Sequence, residues 1–140
     1  MVRELIDGVS RGIAAEFGDS FRIYGDEPVR QGLETPCFFI WLAERKDEPL
    51  PGPRRGCRMF LDVAYFPKEA GACREMWVAA ERLLPVLEVV TLAGGSSVRG
   101  LGLRYEIIDG ILHTYATYAL HFLETAETER MEEARIIMKG

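Results

Sequence analysis

Pro36-Cys37-Phe38-Phe39-Ile40-Trp41-Leu42 is the most apolar run in the first half of the chain. Its length, its aromatic content and the proline ahead of it fit a strand buried on both faces. Just upstream, Asp26-Glu27-Pro28 and Gln31-Gly32-Leu33 read as two turns that feed an extended segment into that strand. A buried strand needs partners, so the rest of the chain must supply both its pairing strands and its cover.

Downstream of the strand, Glu44, Arg45 and Lys46 carry it out toward solvent. Residues 47–56 (Asp-Glu-Pro-Leu-Pro-Gly-Pro-Arg-Arg-Gly) hold three prolines and two glycines, a composition that excludes regular structure. A strand resumes over residues 57–66, so this loop is the tip of a long hairpin. Along its second strand Cys57, Met59, Leu61, Val63 and Tyr65 share one face. Arg58, Phe60, Asp62, Ala64 and Phe66 share the other. Asp62 is out of place among them, and the simplest expectation is that it faces water, the other being a basic partner at a subunit contact.

A second hairpin is set by Asp109-Gly110, the two-residue signal of a type I′ turn. The turn fixes a register of Ile108 opposite Ile111, Glu106 opposite His113 and Arg104 opposite Tyr115. It then predicts a core face of Leu101, Leu103, Tyr105 and Ile107 with Leu112, Ala116, Tyr118, Leu120 and Phe122. Between the hairpins, Pro67 ends a strand and residues 68–84 read as a helix with Cys73, Met76, Trp77, Ala80, Leu83 and Leu84 inward, stopped by Pro85. A short β-like run spans residues 87–92.

The chain opens on a helix over residues 2–17, with Leu5, Val9, Ile13 and Phe17 on its stripe and Gly18 as its stop. Gly8 and Gly12 share one helix face. They mark either a close approach by a neighbouring element or two tolerated glycines at about 1 kcal/mol each. Residues 21–24 read as a short edge strand. The whole is α+β: a mainly antiparallel sheet built from two hairpins, two helices packed largely on one face, in helix–hairpin–helix–hairpin order. Residues 1–124 form one domain. Residues 125–140 form a C-terminal tail, acidic at first and then apolar, which reads as a short docking helix.

Bulk properties narrow the function. The 140 residues carry a net charge of −5, which argues against a general nucleic-acid binder. No apolar run approaches the roughly 18 residues needed to span a membrane, and the N-terminus lacks a signal-peptide pattern. The three cysteines, Cys37, Cys57 and Cys73, have neither zinc spacing nor a framework of disulfides. Neither metal nor cofactor is expected. Residues 93–97 (Ala-Gly-Gly-Ser-Ser) lack the lysine and the following helix of a phosphate loop. No Gly-x-Ser-x-Gly or His-Glu-x-x-His occurs. The set Glu106, His113, Arg104 and Tyr115 is the best polar cluster, and a solvent-facing strand commonly carries such a set. The expectation is a protein without catalytic activity.

In order, Ile6-Asp7-Gly8, Phe17-Gly18-Asp19, Ile23-Tyr24, Gln31-Gly32-Leu33, Pro36-Cys37-Phe38-Phe39-Ile40 and Tyr65-Phe66-Pro67 resemble the tail terminator family of tailed phages and phage-derived particles of Gram-positive hosts. No one motif is diagnostic; the ordered set covers most of the chain. The resemblance implies a structural virion protein, assembled in the bacterial cytoplasm as a ring, with a hexamer expected. The ring would cap the head-proximal end of a tail tube, stop its polymerisation and offer a docking surface to a neck or head-completion protein, with DNA passing through it.

Exposure and charge, rather than the family, pick out the interface residues: Arg45, Lys46, Arg54, Arg55 and Arg58 on the hairpin arm, and Met131, Ile136, Ile137 and Met138 in the tail. Three alternatives stay open. One is another neck or tail-completion connector. Another is a ligand-binding regulatory α+β domain that uses a crevice between helix and sheet. The last is a small hydrolase using Cys73 or His113.

Overall fold

The computed structural model describes residues 2–25, 34–123 and 135–137, the last three as backbone only. The turns expected at Asp26-Glu27-Pro28 and Gln31-Gly32-Leu33 lie outside the described residues, as do Met131 and Met138.

Helix α1 (Val2–Phe17) buries Leu5, Ile6, Val9, Ile13 and Phe17, the stripe its spacing predicts. Gly18 ends it in the left-handed region, φ 81°, with its N–H bonded to the Ala14 carbonyl. The α1 glycines mark a close approach. A Cβ on Gly8 would lie 2.8 Å from Val90 Cγ1, and one on Gly12 2.9 Å from Val86 Cγ1.

Strand β1 (Arg22–Tyr24) is an edge strand, but it pairs parallel to β2 (Cys37–Pro49), so the sheet is mixed. Strands β2 and β3 (Arg54–Phe66) form the long hairpin. The pairing runs far into the segment read as a loop, with Pro49 opposite Arg55, leaving only residues 50–53 as the turn. Pro49 is tolerated because β2 has no neighbour on its other side there among the described residues. Helix α2 (Cys73–Glu88) starts later and ends later than its sequence suggests, and Pro85 lies inside it. The missing proline N–H falls in the last turn, where its loss removes a single helix bond.

Strand β4 (Val89–Thr91) pairs with the start of β5 (Ser97–Ile108), and β5 pairs with β6 (Ile111–Leu123). Asp109 and Gly110 take φ of 52° and 76°, and the register about the turn is the predicted one. Strand β7 (Arg135–Ile137) pairs antiparallel with β6 at His121, Phe122 and Leu123. These three residues of the expected tail helix are thus a strand, folded back on its own domain where β6 extends past its pairing with β5. The order across the sheet is β1-β2-β3-β6-β5-β4, with β7 beside β6.

Both helices pack on one face of the sheet, against Phe38, Ile40, Met59, Leu61, Val63, Leu112, Ala116, Tyr118 and Leu120. Burying each such large aliphatic or aromatic side chain contributes roughly 1.5–3 kcal/mol. At the centre, buried Tyr118 donates its hydroxyl hydrogen to the Leu87 carbonyl at 2.6 Å, and burial raises its pKa. The last carbonyls of a helix have no partner within it, so a buried helix end needs such a donor.

A bulge in β5 and the observed stripe of α2 put side chains off their predicted faces. A bulge between Leu101 and Arg104, with Gly102 at φ 62°, turns Leu101 out of the core; it pairs with Thr117 and is 52% exposed. Tyr105, on the predicted core face, is also exposed. On α2 the stripe is Met76, Ala79, Ala80, Leu83 and Leu87, so Trp77 lies on its flank, 52% exposed, and Cys73 is exposed too.

Cys37 and Cys57 are buried and Cys73 is exposed, all three as free thiols. Burial pushes the Cys37 thiol up to about 11, and burial is also the main cause that raises Cys57. Burial disfavours the thiolate of both, and only the thiolate reacts. A disulfide reagent at pH 8 is therefore expected to label one thiol per native chain, and three after denaturation. Rapid labelling of more than one native thiol would place Cys37 or Cys57 at the surface.

Candidate protein-interaction surface

Alternation along each strand puts two sets of side chains on opposite faces. The helices cover one. The other, formed by the outward positions of β2, β3, β6 and β5, has no covering element among the described residues. The expectation that the run at Phe38 is buried on both faces therefore holds for one face only: Phe38 and Ile40 are buried, Phe39 is half-buried and Trp41 is 60% exposed.

One corner of the open face is aromatic. Phe39 and Trp41 lie 6.2 Å apart by ring centroid, and with Ala64 and Phe66 they line a groove of about 520 Å³. Its polar wall is Asp62 with His113. Asp62 is half-buried rather than turned to bulk water, and its partner comes from its own chain. His113 Nδ1 lies 2.9 Å from Asp62 Oδ2 and 3.1 Å from Oδ1. A carboxylate only accepts, so Nδ1 carries the hydrogen and donates it. The pair is diagonal across β3 and β6, where Asp62 sits opposite Tyr115 and Ala64 opposite His113.

Next to it the cross-strand set is present. The Arg104 guanidinium lies 4.2 Å above the Tyr115 ring and 3.2 Å from Glu106 Oε2. Glu106 is held below the usual carboxylate range, first by its hydrogen bond from Tyr115 and then by that from Arg104. Cys73 opens α2 on the covered side of the sheet, and His113 lies on the open side, so the fold does not bring them together. Among the described residues no group of acids, histidines and cysteines is arranged to hold a metal. None of the helices there is long and apolar enough to cross a membrane.

The hairpin arm carries the other sequence-predicted residues, but not as one patch. A bulge at Ala43, between the pairs Leu42/Leu61 and Glu44/Phe60, resets the alternation. Lys46, Arg54 and Arg58 then belong to the open face, and Arg45 and Arg55 to the helix side. Arg45 is tied to Asp47 at 3.0 Å and Lys46 to Glu44 at 3.6 Å, exposed pairs worth about 0–1 kcal/mol. Arg54 and Arg58 are exposed and Arg55 is half-buried. Ile136 and Ile137 belong to β7. A crevice between helix and sheet also exists, about 400 Å³ beside Phe21, Tyr65, Glu75 and Arg82; Tyr65 donates to Glu75 there at 2.5 Å.

The sequence missed the aromatic corner as a surface because it read the apolar strand as covered on both sides. It missed the Asp62–His113 pair because no local signal says that β3 and β6 are neighbours.

No curated protein matches this chain. A family model described as Phage tail terminator protein matches residues 4–132, which takes in both helices, both hairpins and the open face. Membership carries a structural part in a phage tail, in contact with other tail components. On that match the chain belongs to the phage tail terminator protein family.

Proposed function

We propose that this chain closes into a ring, a hexamer, on the head-proximal end of a tail tube and ends its growth. The aromatic corner around Trp41 seats the ring on the last tube ring. A different surface then faces outward and no longer matches a tube subunit, so addition stops; a neck or head-completion protein docks there. DNA passes through the centre. The role is structural, without catalysis.

The observation that carries this reading is the open aromatic face on a chain of this family. A rigid, half-apolar sheet face beside a polar rim has the composition of a protein contact. The groove's Asp62–His113 pair gives that contact a fixed hydrogen-bonding edge. The arm residues Arg45, Lys46, Arg54, Arg55 and Arg58 and the tail residues Met131, Ile136, Ile137 and Met138 remain proposed contacts with other copies or with tail components. The connector reading would use the same face for a neck protein.

The test is a tube-assembly reaction with purified tube protein. Adding this chain is expected to shorten the tubes and to leave a density at one end. Tubes of unchanged length with nothing bound at their ends would overturn the capping reading. A charge reversal of Arg54 and Arg55 to glutamate is expected to weaken end binding about tenfold, with the monomer's melting temperature unchanged within a few degrees. Undiminished end binding by the folded variant would remove the arm tip from the interface.

A further inference from the structure

Two edges of the same sheet lack a strand partner among the described residues. Strand β1 covers β2 only at residues 37–39, so the outer edge of β2 is open along 40–49. Strand β4 covers β5 only at residues 97–99, so the outer edge of β5 is open along 100–108. Open edges expose unpaired backbone donors and acceptors and template pairing with another chain.

The directions of these edges match. From β2 through β3 and β6 to β5 every step is antiparallel, so β5 runs opposite to β2. A second copy laid beside the first would bring its β2 antiparallel to the first copy's β5. The alternation would run on across the boundary without a reversal. Such a contact is heterologous, and a heterologous contact forms a ring when its rotation closes and an open filament when it does not.

The charges select a register. On the open face β2 presents Glu44, Lys46 and Glu48, and β5 presents Arg104, Glu106 and Ile108. With Lys46 opposite Glu106, Glu48 falls opposite Arg104 and both pairs are of opposite sign. A slip that keeps the faces matched moves the pairing by two positions. In one direction it sets Glu44 against Glu106 and Lys46 against Arg104. In the other it sets Glu48 against Glu106. Like charges directly opposite are destabilising. The bulges at Ala43 and Gly102 end the regular run on each edge, leaving 44–49 and 104–108 as straight segments of similar length. In the single chain Lys46 leans on Glu44 at 3.6 Å and Arg104 on Glu106 at 3.2 Å; these weak surface pairs exchange for pairs between copies.

We propose that neighbouring copies of this chain join by strand addition, β2 of one against β5 of the next, with Lys46 opposite Glu106 and Glu48 opposite Arg104. This rests on the ring reading above and names its seam.

The test uses the full chain in assembled tail particles, with Cys73→Ser to remove the exposed thiol. Directly opposite residues have Cα atoms roughly 4.5–5.5 Å apart, within the Cα separation of about 4.4–6.8 Å that a disulfide spans. The variant carrying Lys46→Cys and Glu106→Cys is expected to give a ladder of covalent multimers on oxidation, and each single variant none. In chains without the added cysteines, with multimers read by sedimentation, Lys46→Glu is expected to cut multimer recovery at least tenfold, and Lys46→Glu with Glu106→Lys to restore it to within about threefold. Capped tails of normal length that give no ladder, or a charge swap that fails to rescue, would overturn the seam and leave the capping reading standing. Loss of capping by the parent chain would instead strike at the ring reading itself, while a ladder from the purified double-cysteine chain alone would still support the seam.

Discussion

Gly100→Ala is expected to destabilise the chain by about 3 kcal/mol and to lower its melting temperature by roughly 10 °C. A Cβ on Gly100 would sit 2.3 Å from the Leu87 carbonyl oxygen and 3.2 Å from Leu103 Cδ2. The first obstacle is backbone, so it cannot rotate away. The same oxygen accepts the Tyr118 hydroxyl at 2.6 Å, and Tyr118 is fully buried at the centre of the core. Moving the end of α2 off β5 therefore opens a packing gap and strands a buried hydroxyl, and each of these alone costs on the order of 1–3 kcal/mol. Gly94→Ala is the control: a Cβ there meets nothing within 4 Å, and its effect should stay within about 0.5 kcal/mol. Chemical denaturation of both variants measures the difference. Equal stabilities would mean that α2 does not end against β5 at Gly100.

Trp41→Asp is expected to abolish capping while leaving the fold intact. Trp41 is 60% exposed, so its removal takes little from the core and the melting temperature should move by no more than a few degrees. At an interface the same ring is of the residue type that dominates binding energy, with truncations costing about 2 kcal/mol or more. A carboxylate placed in the aromatic corner adds a desolvation penalty, so binding to the tube end should fall at least 30-fold. Sedimentation of the variant with preformed tubes reads this directly. Unimpaired binding by a folded Trp41→Asp chain would move the contact off the aromatic corner.

Much of the fold was legible because its signals are local. The α1 stripe and its glycine stop, the Asp109-Gly110 turn with its register, and the inward face of β3 each depend on a few neighbouring residues. The α+β class and the placing of both helices on one side came from them. The features that the sequence hid depend on non-local or one-residue effects. Nothing in Phe21 to Tyr24 says that this edge strand runs parallel to its neighbour. The bulges at Ala43 and Gly102 each insert one residue and shift the alternation of faces, so Leu101 left the core and Lys46, rather than Arg45, came to the open face. Trp77 lies one helical step past Met76, on the flank of the stripe, and Cys73 is the exposed first residue of α2. Pro85 reads as a stop, yet it is tolerated within the last turn.

The candidate surface was legible in part. Arg45, Lys46, Arg54 and Arg58, picked out by expected exposure and charge, are exposed and Arg55 is half-buried, whereas the aromatic corner needed the sheet's topology. The pair of Asp62 with His113 shows why: the residues are 51 positions apart in sequence, and only the pairing of β3 with β6 brings them together.

The most direct test of tail termination is tail length by electron microscopy, in particles made with and without this gene. Overlong, broadly distributed tubes in its absence, restored to uniform length when the gene is supplied again, are the expected result. Tubes of normal and uniform length without it would contradict termination; if such tubes failed only to join heads, the chain would be a connector instead.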